Sequence, residues 1–220
     1  ARQPFYRWLA SWAMSIRKPS DLGYSDDGYI LPPLCIHPLF VNVDYVPEGQ
    51  LFFLGLKGIT DRSNVRKATL AERVKTAAAL VNNSNEQWNV WCGLNEEAAE
   101  MTNAIEGAVE VRGSDTPESK AARIEQFQDG NYRVLVTKPR IAGFGMNFQN
   151  AHNMVFVGLN DSWEWYYQCI RRQYRFGQLE QVNAYVVLSE LEREIYENVM
   201  RKESMARRMS DELINNARVY

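Results

Sequence analysis

The sequence predicts an α/β protein built on a parallel sheet that helices cover on both faces. Short apolar runs read as strands at residues 88–92, 108–111, 132–136, 154–157 and 182–188. Segments with helical spacing alternate with these runs, as at residues 69–81, where one apolar stripe comprises Leu70, Val74, Ala77 and Val81. Regular alternation of strands and helices of this length is typical of a parallel sheet with helices on both sides.

The composition is that of an ordinary globular protein and identifies no partner by itself. The 220 residues are 45% hydrophobic and 24% charged, and their net charge is −2. Any binding of nucleic acid therefore has to come from local patches of charge. No apolar run is long enough to span a bilayer and no signal sequence opens the chain, so no membrane is expected as a partner.

The cysteine content argues against a disulfide framework. The three cysteines, Cys35, Cys92 and Cys169, are scattered and odd in number, which favours a reducing cytoplasm. Cys35 and His37 have metal-ligating side chains, but the sequence offers no second pair of ligands. We therefore expect no metal site.

The first 60 residues are richer in loop signals than the rest. Residues 1–18 have the spacing of an amphipathic helix, residues 21–33 read as a loop, and residues 39–46 read as a strand. Residues 50–59 predict a connector. This region is either a subdomain of its own or the end of a neighbouring domain, and its length makes a separate core unfavourable.

The segment QCIRRQYRFGQ, residues 168–178, carries two arginines at a spacing suited to a polyanion. Gln168, Arg172 and Arg175 stand at i, i+4 and i+7, which is one face of a helix. Two guanidinium groups on one face can each grip phosphate oxygens in a bidentate manner. The alternative is a solvated basic helix end, in which Arg171 and Arg172 favour the C-terminal dipole.

The limits of this helix are also predicted. Asp161 is the expected N-cap, with Glu164 three residues later in the capping-box position, and Gly177 is the expected stop. Four aromatic residues lie near the start: Trp163, Trp165, Tyr166 and Tyr167. Such residues stack on bases in some proteins, but packing of the helix against the sheet is the favoured interpretation.

A glycine-rich segment precedes this helix, and the pair resembles motifs V and VI of superfamily 2 helicases and translocases. The form is most similar to the Swi/Snf-type branch. The residues that match motif V are Gly143, Gly145, Asn147 and Gln149. Those that match motif VI are Gln168, Arg172, Arg175, Gly177 and Gln178.

This resemblance implies a RecA-like fold divided between two lobes. Residues 61–220 would form the second RecA-like lobe, and residues 1–60 would be the tail of the first lobe with a connector. The segment Leu31-Pro32-Pro33-Leu34 stands where the family pattern places the end of the first lobe. Pro139 and Phe144 depart from the usual polar and acidic residues, and this variant resembles phage and prophage members.

In the resembled family, ATP binds between the lobes and the arginines of the second lobe reach its γ-phosphate. By position, Arg172 and Arg175 are the implied catalytic residues, and Gln168 would orient them or touch the nucleotide. Gly143 and Gly145 are the remaining implied nucleotide-binding residues, and we expect both to adopt positive φ or to allow close backbone approach. The implied nucleic-acid contacts are Gly113, Ser114, Lys138, Arg140, Asn147 and Gln149.

The implied ligands are ATP with Mg²⁺ and double- or single-stranded DNA, and the implied protein partner is the first lobe. The 220 residues contain no G-x-x-x-x-G-K-[ST] segment, and Asp211-Glu212 follows no predicted strand. We therefore expect half an active site here, with the magnesium ligands on the first lobe. The expected location is the cytoplasm of a bacterium or a phage-infected cell.

Two other interpretations stay open from the sequence. The first is a non-catalytic nucleic-acid-binding module with the same RecA-like fold, although such a module has no need for both arginines at this spacing. The second is an unrelated doubly wound enzyme. No Ser/His/Asp set supports that enzyme, because the two histidines, His37 and His152, lie in no recognisable motif.

Overall fold

A single parallel sheet of six strands organises the chain. The computed structural model describes residues 2–43, 59–143, 145–160 and 162–217. The strands are β1 (Leu34–Val41), β2 (Trp88–Cys92), β3 (Ala108–Glu110), β4 (Val134–Thr137), β5 (Asn153–Val157) and β6 (Val182–Ser189). They are ordered β1-β6-β5-β2-β4-β3 and every pairing is parallel. The predicted RecA-like α/β fold is confirmed.

Helices connect the strands and cover both faces of the sheet. They are α1 (Arg2–Ala10), α2 (Ile59–Ala68), α3 (Leu70–Asn82), α4 (Asn95–Ala104), α5 (Pro117–Gln128), α6 (Pro139–Ala142), α7 (Trp163–Gln173) and α8 (Arg193–Ala217). Alternate residues of β5 face opposite sides, as the pleat of a strand requires. Met154 and Phe156 pack with residues of α5, α7 and α8, whereas Val155 and Val157 pack with residues of α3 and α4.

The N-terminal region differs in detail from the sequence prediction. The first helix ends at Ala10 rather than near residue 18, and the strand begins at Leu34 rather than at residue 39. This strand, β1, is the edge of the sheet and pairs with β6, in the register Leu34 to Val182. An edge strand tolerates Pro38, because the missing N–H need not serve a second neighbour.

Strand β1 is therefore part of the same sheet as the later strands. The assignment of residues 1–60 to a first lobe and connector stays a prediction, and it has to be compatible with this pairing. Residues 50–58 of the predicted connector lie outside the described residues. In the described ranges, no helix combines the length and apolarity needed to cross a bilayer.

Candidate nucleotide and nucleic-acid sites

The glycine-rich segment and α7 are hydrogen-bonded to each other. We define the motif V loop as residues 143–152, which lead from α6 to β5. The Arg172 guanidinium donates through Nη1 to the carbonyl oxygen of Met146 at 3.2 Å. In the other direction, the Phe148 amide donates to the Arg172 carbonyl at 2.9 Å. The two segments that the sequence singles out thus form one structural unit.

Arg172 is held in place by Gln168. Its Nη2 donates to the Gln168 side-chain oxygen at 2.7 Å, and its Nε donates to the Gln168 carbonyl at 3.1 Å. Burial lowers the pKa of Arg172, and the nearby positive charge of Arg175 lowers it further. Gln168 orients this arginine, and Arg172 itself fastens the motif V loop to the helix.

The prediction that Arg175 lies on the same helix face is wrong. Helix α7 ends at Gln173, and Arg175 lies in the following turn, where its N–H donates to the Gln173 carbonyl at 3.1 Å. The buried Gln178 side chain reaches back to the same Gln173 carbonyl at 3.4 Å and also donates to the Ala151 carbonyl at 3.2 Å. A side chain thus satisfies a helix-end carbonyl, and the helix stops before Gly177.

The Arg175 side chain has no partner among the residues that the structure describes. It is half-buried, and neither a carboxylate nor a carbonyl of those residues accepts a hydrogen bond from it. Arg172, in contrast, uses all three of its nitrogens inside the chain. Of the two predicted catalytic arginines, Arg175 is the one free to bind an anion.

The N-cap of α7 is one residue later than the sequence predicts. Asp161 lies outside the described residues, and the Ser162 hydroxyl accepts a hydrogen bond from the Trp165 amide at 3.4 Å. The predicted core packing is confirmed for Tyr166, which is 3% exposed and lies against Phe156, with ring centroids 5.1 Å apart. The Arg140 guanidinium lies over Trp165, 5.7 Å from the ring centroid.

The two motif V positions suit glycine for different structural reasons. Gly145 has φ of +77°, so the predicted left-handed conformation is confirmed there. Gly143 has φ of −72°, so it meets the expectation through close backbone approach rather than through positive φ. Its N–H donates to the Pro139 carbonyl at 2.7 Å, and a Cβ at this position would lie 3.0 Å from the Pro139 carbonyl carbon. Gly143 therefore allows close backbone approach and no more.

The side chains of Asn147 and Gln149 are engaged within the chain. The Asn147 amide nitrogen donates to the Gln149 side-chain oxygen at 2.8 Å, and the Gln149 amide nitrogen donates to the carbonyl of Phe176. These bonds tie the motif V loop to the turn that holds Arg175. Their role in nucleic-acid binding stays a prediction, and their amide donors serve this junction in the structure.

A second group of predicted residues lines an open cleft at the carboxyl ends of β3 and β4. Gly113, Ser114 and Lys138 come together around a volume of about 500 Å³. The Lys138 ammonium donates to the Asn95 side-chain oxygen. Lys120, which the sequence analysis missed, donates to the Gly113 carbonyl at 2.7 Å. Its sequence signal is a lysine in the first turns of the helix that follows Gly113.

Arg112 is a further basic residue of this cleft that the sequence analysis missed. Its Nε donates to the Glu110 carboxylate at 2.8 Å, and this bond raises the pKa of the arginine. The cleft thus contains Lys138, Lys120 and Arg112 around one strand-end loop, with Glu110 as the opposing charge.

The predicted site residues lie in two places, some at the carboxyl ends of the strands and some at the amino ends. Gly113 and Lys138 follow the carboxyl ends of β3 and β4. Helix α7 runs back across the sheet for about 16 Å. Its last residue, Gln173, donates to the Asn153 carbonyl at 3.1 Å and the Asn89 side chain at 2.6 Å, at the amino ends of β5 and β2.

Arg172 and Arg175 therefore lie near the amino ends of the strands. Two separate groups of site residues, at opposite ends of the strands, suit two separate ligands.

A buried ionic cluster that the sequence analysis missed lies at the carboxyl ends of β2 and β5. Glu97 accepts from Arg66 Nη2 at 2.7 Å and from Arg73 Nη1 at 3.0 Å, and both Glu97 and Arg73 have fully buried side chains. Arg73 also lies 3.8 Å from the buried carboxylate of Glu192. Gly158 has φ of +89° and leaves space for the Arg66 guanidinium, because a Cβ there would lie 2.6 Å from Arg66 Nη2.

Comparisons with known proteins agree with this architecture. Residues 72–177 match the profile of the family described as helicase conserved C-terminal domain. This stretch contains the cleft, the motif V loop and α7. The matched stretch is slightly less than half of the 220 residues.

Solved structures share the fold. The crystal structure of the C-terminal part of the Fun30 ATPase domain is similar, with a TM-score of 0.51 and 15% identity. The similarity covers 60% of this chain and 45% of that one, so the chain spans less than half of its length. At this identity the likeness shows the fold alone. No curated protein sequence matches the chain.

Proposed function

We propose that this chain is the second lobe of an ATP-dependent DNA helicase or translocase of the Swi/Snf type. ATP would bind between this lobe and the first, which would supply the phosphate loop and the magnesium ligands. The observation that carries the proposal is the junction of the motif V loop with α7, which leaves Arg175 without a partner among the described residues. The family match over residues 72–177 supports the same conclusion.

In this proposal Arg175 is the residue that meets the γ-phosphate. Charge accumulates on the equatorial oxygens during phosphoryl transfer, and a positioned guanidinium stabilises it electrostatically. Arg172 and Gln168 act together, because Gln168 fixes the guanidinium that fastens the motif V loop. A ligand that displaces that loop would thus act on the turn of Arg175. Binding of nucleic acid at the motif V loop would in this way be coupled to the nucleotide at Arg175.

The DNA track would contact the cleft at the carboxyl ends of β3 and β4. Lys138, Lys120 and Arg112 supply positive charge there, and the backbone at Gly113-Ser114 supplies sequence-independent phosphate contacts. We also propose that Pro139 and Phe144 mark a phage- or prophage-type variant acting in the cytoplasm.

Replacing Lys138 tests the nucleic-acid part of the proposal. Lys138→Ala is expected to weaken binding of a labelled DNA duplex for every sequence tried. The slope of log affinity against log salt should become shallower by about one, because one phosphate contact is lost. Fluorescence anisotropy over a salt series measures both quantities.

The matched control is Lys75→Ala, since Lys75 is 78% exposed and pairs with Glu72 on α3. It should leave the salt slope unchanged. Salt-insensitive binding by the unmodified chain, a strong preference for one sequence, or equal losses in both variants would contradict the proposed cleft.

A further inference from the structure

A ladder of aromatic and arginine side chains runs along α7 on a different side from the Arg172 junction. We name Trp163, Tyr167, Arg171 and Tyr174 the α7 ladder. The rings of Trp163 and Tyr167 have centroids 5.0 Å apart and planes 30° apart. The Arg171 guanidinium lies 5.9 Å from the Tyr167 centroid and 5.8 Å from the Tyr174 centroid. Spacings of four, four and three residues keep the ladder on one face.

The ladder forms one wall of a cavity of about 550 Å³ between α7 and α8. Glu203, Ala206, Arg207 and Ser210 of α8 form the opposite wall, and the rest of the lining is Arg17, Leu34, Tyr166 and Ile170. This volume lies in the range of small-ligand sites. The cavity is thus large enough for one planar ring system with its substituents.

Two polar groups of the lining are buried without a partner in the described part of the chain. They are the Trp163 indole nitrogen and the Tyr166 hydroxyl. Tyr166 is 3% exposed, and burial raises the pKa of its hydroxyl. The charge of Glu203 raises this pKa further. Buried donors without acceptors are costly, and an indole N–H can only donate.

Two of the arginines that line the cavity have a counter-charge among the described residues, and the third does not. Arg17 pairs with Asp211 at 2.5 Å, and Arg207 pairs with Glu203 at 3.4 Å. Arg171 contacts only the two tyrosine rings, and no carboxylate of the described residues lies within salt-bridge distance of it. One positive charge therefore remains for an anion from outside the lobe.

We propose that this cavity binds a base of single-stranded nucleic acid, with the neighbouring phosphate on Arg171. A base supplies a flat π face for the rings of the ladder, and its attached phosphate supplies a negative charge for Arg171. An apolar peptide side chain would bring no negative charge to Arg171. The inference rests on the proposed function, since it assumes that the lobe contacts nucleic acid. It adds a single-strand site separate from the Lys138 cleft.

Replacing Tyr167 separates this site from the cleft. Tyr167 is 37% exposed, so Tyr167→Ala does not empty the core. The variant is expected to lose about tenfold in affinity for a single strand of about 15 nucleotides, as measured by fluorescence anisotropy, because it loses one stacking platform. Its affinity for a blunt duplex should not change. Arg171→Lys should lose less, since the charge remains while the planar group is lost.

The matched control is Tyr24→Ala, because Tyr24 is 71% exposed and lies outside the ladder. It should bind both DNAs as the unmodified chain does. A single strand carrying 5-iodouracil gives a direct readout, since photo-crosslinks are expected at Trp163, Tyr167 or Tyr174.

Crosslinks confined to residues 113–149, with unchanged binding by Tyr167→Ala, would overturn the ladder site and leave the proposed function intact. Equal losses for single strand and duplex would assign the cavity to protein packing and also overturn the site. Failure of the unmodified chain to bind any nucleic acid would overturn both proposals.

Discussion

Arg175→Ala is expected to lower kcat for ATP hydrolysis by about 10³-fold or more in a protein that contains both lobes. The Arg175 side chain has no bond to lose within the described residues, so the lobe should stay folded. The guanidinium would meet charge that develops during phosphoryl transfer. The loss should therefore appear mainly in kcat, while KM for ATP changes less.

The controls for this result are close in sequence. Arg175→Lys should fail to restore turnover, because a point charge does not reproduce the planar fork. Arg171→Ala, measured at saturating DNA, should keep most of the activity, since Arg171 faces the tyrosines of the ladder. Equal losses in Arg171→Ala and Arg175→Ala, or unfolding of the Arg175 variant, would remove the catalytic assignment.

Arg172→Ala is expected to differ from Arg175→Ala in stability. It should also abolish turnover, but the Met146 carbonyl and the Gln168 side chain would each lose a donor. The sequence alone predicts an undisturbed lobe for this variant. The structure predicts a lower melting temperature, because the motif V loop is released from α7.

Glu97→Gln is expected to lower the free energy of unfolding by about 3–5 kcal/mol, the cost of breaking a buried ion pair. The variant leaves Arg66 and Arg73 without their shared carboxylate, and the Arg73 side chain is fully buried. The same carboxylate accepts hydrogen bonds from the amides of Gly93 and Leu94, at 2.8 and 3.0 Å, at the start of α4. Chemical denaturation measures the change.

Glu96→Gln is the matched control, since Glu96 precedes Glu97 in the first turn of α4 and is exposed. It should change stability by less than about 0.5 kcal/mol. If Glu97→Gln were as mild as this control, the cluster would not hold α2, α3 and α4 onto the strand ends.

Local patterns were sufficient to predict the strands and the pairing of the two motifs. The five strands after residue 60 are short apolar runs in the sequence, and all lie in the sheet. The glycine-rich segment and the arginine helix were expected to act together, and the Arg172 to Met146 hydrogen bond joins them. The strands and the two motifs are each patterns within a short segment of the chain.

Features that depend on particular side-chain contacts were not predictable. Helix α7 ends early because Gln178 reaches back to the Gln173 carbonyl, and sequence spacing does not show that contact. The buried ionic cluster takes its charges from α2, α3, α4 and the turn before α8. The position of the arginines near the amino ends of the strands follows from the path of α7 across the sheet.

The central claim is that this chain holds half of an ATPase site, and its own turnover tests that claim most directly. The measurement is steady-state ATP hydrolysis by the purified 220-residue chain, with and without DNA. The predicted result is a rate no faster than background in both conditions, because these residues would supply arginines to the γ-phosphate but contain no G-x-x-x-x-G-K-[ST] segment. Measurable turnover by this chain alone, stimulated by DNA, would contradict the account.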